Sequence, residues 1–152
     1  MKKFLLLLFA AASLAACDDD KDYGPDIEHF TGRLTVTLLS DATQRHTYDG
    51  KRFSLAGDTD GTLTMRMYDT QFVPQMPPLT MDVPGIGYLR STDDLLTLEA
   101  ARVVPLMGGR PYEQYAITAL KGTVADAEPE DRLHVEFECM GYRVVYDGEE
   151  LD

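Results

Sequence analysis

The chain has no tryptophan, two cysteines and three histidines, and its 14 Lys and Arg are outnumbered by 26 Asp and Glu. Each shortage excludes something. A formal net charge of -12 opposes nucleic-acid binding, in which neutralising phosphates supplies much of the affinity. It equally opposes electrostatic adhesion to anionic lipid, and otherwise marks only a soluble, self-repelling chain. His29, His46 and His134 do not stand at metal-ligand spacing from one another or from Cys139. No Gly-x-Ser-x-Gly elbow is present. No catalytic residue and no cofactor is assigned. The chain has no internal repeat and no second linker, so it holds one core.

What is present begins with MKKFLLLLFAAASLAAC. Lys2 and Lys3 form a positive start, Phe4 to Ala12 an apolar run, and Leu14, Ala15 and Ala16 a stretch before Cys17 that ends in small residues. That is the layout of a secretory signal peptide over residues 1–16. The apolar run is too short for a spanning helix, which needs roughly 20 residues. Leu14-Ala15-Ala16-Cys17 resembles the bacterial lipobox, in which a diacylglyceryl group is attached to the cysteine before cleavage. A cysteine near the cleavage site by chance is the weaker alternative. Each buried CH2 of an acyl chain contributes roughly 0.8 kcal/mol, and two or more chains make anchoring stable. Loss of Lys2 and Lys3 would take the formal charge from -12 to -14. With Cys17 acylated, Cys139 has no partner for a disulfide.

Residues 17–28 read as the lipidated cysteine and an acidic tether, broken at Gly24-Pro25. Asp18, Asp19 and Asp20 resemble the surface-export signal of lipoproteins in the Bacteroides group. In enteric bacteria Asp18 would instead resemble an inner-membrane retention signal. A plain solvated spacer is the third reading.

From Phe30 the pattern turns to short strands and turn signals. Leu34, Val36 and Leu38 alternate with polar residues, and Phe53 and Leu55 follow Asp49-Gly50, a turn or a bulge. Asp58-Thr59-Asp60-Gly61 is a hairpin signal leading into Leu63, Met65 and Met67. After the Pro-rich link from Val73 to Pro78, Leu79, Met81 and Val83 alternate until Pro84-Gly85. Leu96 and Leu98 start a strand running toward Met107-Gly108-Gly109, although Ser91 to Asp94 could cap a helix over 95–102. Parity changes between Ile117 and Leu120, which predicts a bulge near Ala119. Leu133, Val135, Phe137 and Cys139 form the clearest half-buried strand, and Met140-Gly141 turns into Tyr142, Val144 and Tyr146. Strands repeating every 10 to 15 residues or so predict an all-β sandwich or barrel. The expectation adopted is a single antiparallel eight-stranded up-and-down barrel over 29–148, with 149–152 as a tail.

The order Phe30-Thr31-Gly32-Arg33-Leu34-Thr35-Val36, then Asp60 to Met65, Lys121 to Val124, Leu133 to Phe137 and Met140 to Gly148 resembles a known pattern. It is similar to the calycin-like or lipocalin-like barrel of small Bacteroides-group lipoproteins. The resemblance implies the fold and no particular activity. A Gly-x-Trp motif common in true lipocalins is missing, so retinoid-type or haem-type binding does not carry over.

Asp58 to Gly61 superficially suggests a calcium loop, but Met67 stands where a closing Glu belongs. A turn is the better reading. Cys139 has the parity of a buried residue rather than a nucleophile, and His134 that of a solvent-facing one. Met65, Met67, Met81 and Phe137 are the candidate barrel lining, with core packing preferred over a ligand-lined mouth. Phe72 to Pro78 and Gly108 to Tyr112 are candidate exposed loops for contacts, with plain connections the better reading. The function expected is a lipid-anchored, non-enzymatic module at the outer membrane, on the cell surface or facing the periplasm. Its partner would be a small apolar ligand or a protein. A structural or inhibitor-like interaction module with a filled barrel is the alternative, and a hydrolase-type enzyme the weakest.

Overall fold

The computed structural model describes residues 27–92 and 94–151. Cys17, Asp18, Asp19, Asp20 and the signal segment lie outside the described residues. The strands are β1 (Ile27–Leu38), β2 (Asp41–Gly57), β3 (Leu63–Thr70), β4 (Leu79–Thr92) and β5 (Leu95–Val103). They continue as β6 (Leu106–Met107), β7 (Arg110–Pro111), β8 (Ile117–Ala125), β9 (Arg132–Cys139) and β10 (Tyr142–Glu150). Among the described residues there is no α-helix, only a short 3-10 turn at Glu113–Tyr115.

Eight strands close into an antiparallel up-and-down barrel in the order β1-β2-β3-β4-β5-β8-β9-β10, with β10 returning to β1. The small β6–β7 hairpin hangs off β4 through Asp82 and Leu106. Closure leaves no long edge in the main wall except on β2. That strand pairs with β1 along nearly its whole length, but with β3 only from Arg52 to Gly57. Its first half, from Asp41 to Lys51, has no partner on its other side among the described residues.

Period-two alternation explains the wall. On β9, Leu133, Val135, Phe137 and Cys139 are at most 3% exposed, while the residues between them face out. The core adds Phe30, Leu34 and Val36 from β1, Phe53 and Leu55 from β2, and Val144 and Tyr146 from β10. Each such side chain contributes roughly 1.5–3 kcal/mol over remaining exposed. Cys139 is the one free thiol among the described residues, so apolar burial holds this barrel without a crosslink.

The turns follow their chemistry. Met140 and Gly141 have φ of 57° and 82°, the left-handed pair that a two-residue hairpin requires. At the β2–β3 turn, Asp60 accepts from the Thr62 amide at 3.0 Å and its hydroxyl at 2.7 Å. Asp49-Gly50 is a bulge against β1, and the shift near Ala119, whose φ is 54°, is a second.

Several sequence boundaries need correction. β4 does not stop at Pro84-Gly85 but runs on to Thr92. Gly85, with φ of 74°, turns the two breakers into a bulge opposite Thr64. β5 ends at Val103 instead of running toward Met107, because Pro105 cannot donate to a ladder. Residues 95–103 are strand, paired with β4 and β8 on both sides, which overrides their helix propensity. Ile27 and Glu28, read as tether, belong to β1, and Glu149 and Glu150, read as tail, belong to β10. The ladders Glu28 to Leu55 and Phe30 to Glu150 hold them there.

The near end of the barrel carries the start of β1, the end of β10, the β2–β3 turn and the link 126–131. The far end carries turns 39–40 and 140–141 and the links 71–78 and 104–116. In link 71–78, Phe72 and Met76 fold inward and are buried, and Gln71 donates to the Met76 carbonyl at 2.8 Å.

Candidate functional site

Met65, Met67 and Met81 are fully buried, and Phe137 is 1% exposed. They stand among core side chains, not on an open mouth. Phe53 and Tyr146 stack with ring centroids 3.7 Å apart and planes 3° from parallel. The Tyr146 hydroxyl donates to the Lys51 carbonyl at 2.9 Å, so its one polar atom is satisfied. The remaining methionines divide: Met76 joins the core, Met107 is half-buried and Met140 is exposed.

The outer wall over β8, β9, β10 and β1 carries a groove of about 510 Å³. Register puts two outward rows across it. One runs Thr31, Glu149, Arg132, Ala125; the other runs Arg33, Asp147, His134, Thr123. Between the rows, Gly32 faces Gly148 directly. A Cβ on Gly32 would stand 1.9 Å from the Asp147 carbonyl oxygen, so only glycine permits the two backbones to come this close. At Gly148 a Cβ would meet the Tyr146 ring at 2.6 Å. Both glycines line the floor of the groove.

The groove's charges are paired. His134 Nδ1 lies 2.6 Å from Asp147 Oδ1, and its Nε2 lies 3.0 Å from Glu136 Oε2. Glu136 also accepts from Arg143 at 3.1 Å, and Arg132 meets Glu149 at 3.2 Å. Partial burial pulls the His134 pKa down, but the hydrogen bonds and charges of Asp147 and Glu136 outweigh it and raise the pKa above 6.5. Glu136 is held below the ordinary carboxylate range, first by its hydrogen bond to His134. A ring with a carboxylate at each nitrogen donates from both. While the ring is protonated, this arrangement links charges across β9 and β10.

Cys139 is 3% exposed and its thiol donates to the Tyr115 carbonyl at 3.3 Å. Burial pushes its pKa to about 12, far from the thiolate that nucleophilic chemistry needs. At the β2–β3 turn, Asp58 accepts from the Thr64 hydroxyl at 2.7 Å and Asp60 is bound by Thr62. Their oxygens serve the turn, as a hairpin reading implies. His29 lies beside Tyr68, with ring centroids 6.1 Å apart, and away from the groove.

Sequence parity places His134 and Glu136 on one outward face. It could not supply Asp147, Thr31 or the glycine pair, which reach the site only through the register of β10 against β9 and β1. Cys17, Asp18, Asp19 and Asp20 cannot be placed relative to the groove, since they lie outside the described residues. In comparisons with known proteins, the chain matches no family model, no curated protein and no solved structure.

Proposed function

We propose that this chain is a lipid-anchored, non-enzymatic binding module of the outer membrane. Cys17 holds it at the cell surface, and it meets a protein partner on its outer wall. On this reading it is one of the calycin-like barrels of Bacteroides-group lipoproteins. The lipobox-like residues and the acidic tether support the location. The filled interior carries the choice of partner. A small apolar ligand inside would have to displace Met65, Met67, Met81 or Phe137, all within 1% of full burial, and core rearrangement of that kind is costly. A protein on the outer groove displaces nothing. The chemistry of the groove agrees: His134 is engaged at both nitrogens, and Cys139 is buried and protonated.

Site-specific photo-crosslinking on intact cells tests this. A crosslinker at Thr31 or Thr123, in the groove, should give one discrete adduct. At Leu89, 69% exposed on β4 across the barrel, it should give none. Replacing Cys17 with serine should release the protein from the membrane fraction. A melting shift with a small apolar ligand, without any groove adduct, would overturn the outer-wall reading.

A further inference from the structure

At the near end, four carboxyl groups from both ends of the fold come together. Glu28 is on β1, Glu150 on β10, and Asp126 and Asp131 on the link between β8 and β9. Glu150 pairs with Phe30, two residues from Glu28, so the two carboxyls meet where the β1–β10 ladder begins. Asp131 is fully buried, and neither of its carboxylate oxygens has a hydrogen-bond partner. One oxygen each of Glu150 and Asp126 is buried and unpartnered as well. Backbone bonds tie the region together: the Glu150 amide donates to Asp131, and the Leu151 amide to His29, both within 2.9 Å.

The arginines described near the cluster are engaged elsewhere. Arg132, next to Asp131, is paired with Glu149 at 3.2 Å, and Arg52 lies over the Tyr68 ring at 4.2 Å. The other titratable groups around the cluster are His29 on β1, Asp94 in the turn before β5, and Glu128 and Glu130 in the link. His29 is held below 6.5 by burial and by Arg52, so it supplies no cation at neutral pH. Among the described residues, no three His, Cys, Asp or Glu side chains are grouped so as to hold a metal ion. Burial without a counter-charge among the described residues leaves protonation as the way to remove the cost. Burial first, then Glu150 and Asp131, pushes Glu28 up to about 8. Burial first, then Glu150 and Asp126, pushes Asp131 up to about 7.

We propose that Glu28 and Asp131, packed against Glu150 and Asp126, form a proton-dependent latch that clasps the first strand to the last at the end of the barrel where residues 17–26 join it. Protonated, the latch closes the β1–β10 ladder over its terminal pairs. Deprotonated, the carboxylates repel, and the segments 27–31 and 148–151 open while the rest of the barrel stays folded. The direction follows from the raised values. The latch carries no charge penalty below the ordinary carboxylate range near pH 4, and it weakens as pH rises through about 7 to 8.

Hydrogen exchange of the whole chain at pH 6 and pH 8.5, corrected for intrinsic rates, tests the latch. Protection of residues 27–31 and 148–151 should fall at least about tenfold at the higher pH, with β9 unchanged, since one unit of differential pKa is tenfold in the opening equilibrium. The Glu28→Gln, Asp131→Asn double variant should hold protection constant between the two conditions. Should that pair fail to fold, Asp126→Asn should shrink the wild-type drop without abolishing it. Equal protection at both pH values in the wild type would overturn the proposal. So would a drop that persists in the double variant, or full restoration at pH 8.5 by 1 mM (an order-of-magnitude dose for weak extracellular sites) calcium chloride, which would make a cation the partner.

Discussion

Two clusters of carboxylates meet strand β10 and are neutralised in different ways. On the outer wall, Asp147 and Glu136 flank His134, and Arg143 backs Glu136. At the near end, Glu28 and Asp131 have no cation beside them among the described residues and depend on protons. Water reaches the first cluster, where Asp147 is 68% exposed, and is excluded from Asp131. Solvent access decides which device works: an exposed acid tolerates its charge and gains modestly from a partner, whereas a buried one must shed it. The two clusters nevertheless tilt stability the same way. The His134 pKa is raised, so its ion pairs contribute fully below about 6.5 and fade as pH climbs through the raised value. Glu28 and Asp131 are raised too, so their cost builds from near pH 4 and is complete once pH has risen through about 7 to 8.

The largest way to break this contrast is to pry apart the strands that carry both clusters. Gly32→Ala drives a Cβ into the Asp147 carbonyl. It should lower stability by more than about 3 kcal/mol, in the range of overpacked or strained core sites. A denaturant midpoint reads this; a loss below about 1 kcal/mol would mean that the two strands separate easily. Next, His134→Ala should cost up to about 1 kcal/mol near pH 6, as befits pairs that water screens. Melts from pH 6 to pH 7 should then fall less steeply, while the fall owed to the near-end acids persists up to about pH 8. If the later fall vanished as well, the clusters would be one coupled system. The smallest effect separates them by screening. At about 1 M salt the Debye length is near 3 Å, so the outer pairs should lose a few tenths of a kcal/mol. Protection at residues 27–31 should not change with salt, because its control is a proton.

Much of the wall was readable in the chain itself. The alternation at Leu133, Val135, Phe137 and Cys139 gives a strand with its buried face, and Met140-Gly141 gives the turn. The Ala119 bulge follows from a change of parity. Breakers misled at Pro84-Gly85, because a proline and glycine inside one strand make a bulge when both neighbours are already paired. Val103 ended a strand that apolar content alone would extend. Both polar clusters were legible only in part. His134 and Glu136 lie two residues apart on one face. Asp147, Glu28 and Glu150 join their partners through register, and a one-residue slip would have sent each to the opposite side. Glu28 was hidden further because its acidic neighbours read as tether.

The unpaired half of β2 bears on how this barrel avoids pairing with its own copies. An open strand edge invites copies to stack into shared sheets. From Asp41 to Lys51 that edge places Asp41, Arg45, Asp49 and Lys51 among exposed or half-buried polar positions, with a bulge at Gly50. Charged, kinked edges discourage strand addition. Pairing between copies is therefore opposed at the stretch of main wall that, among the described residues, lacks a second neighbour.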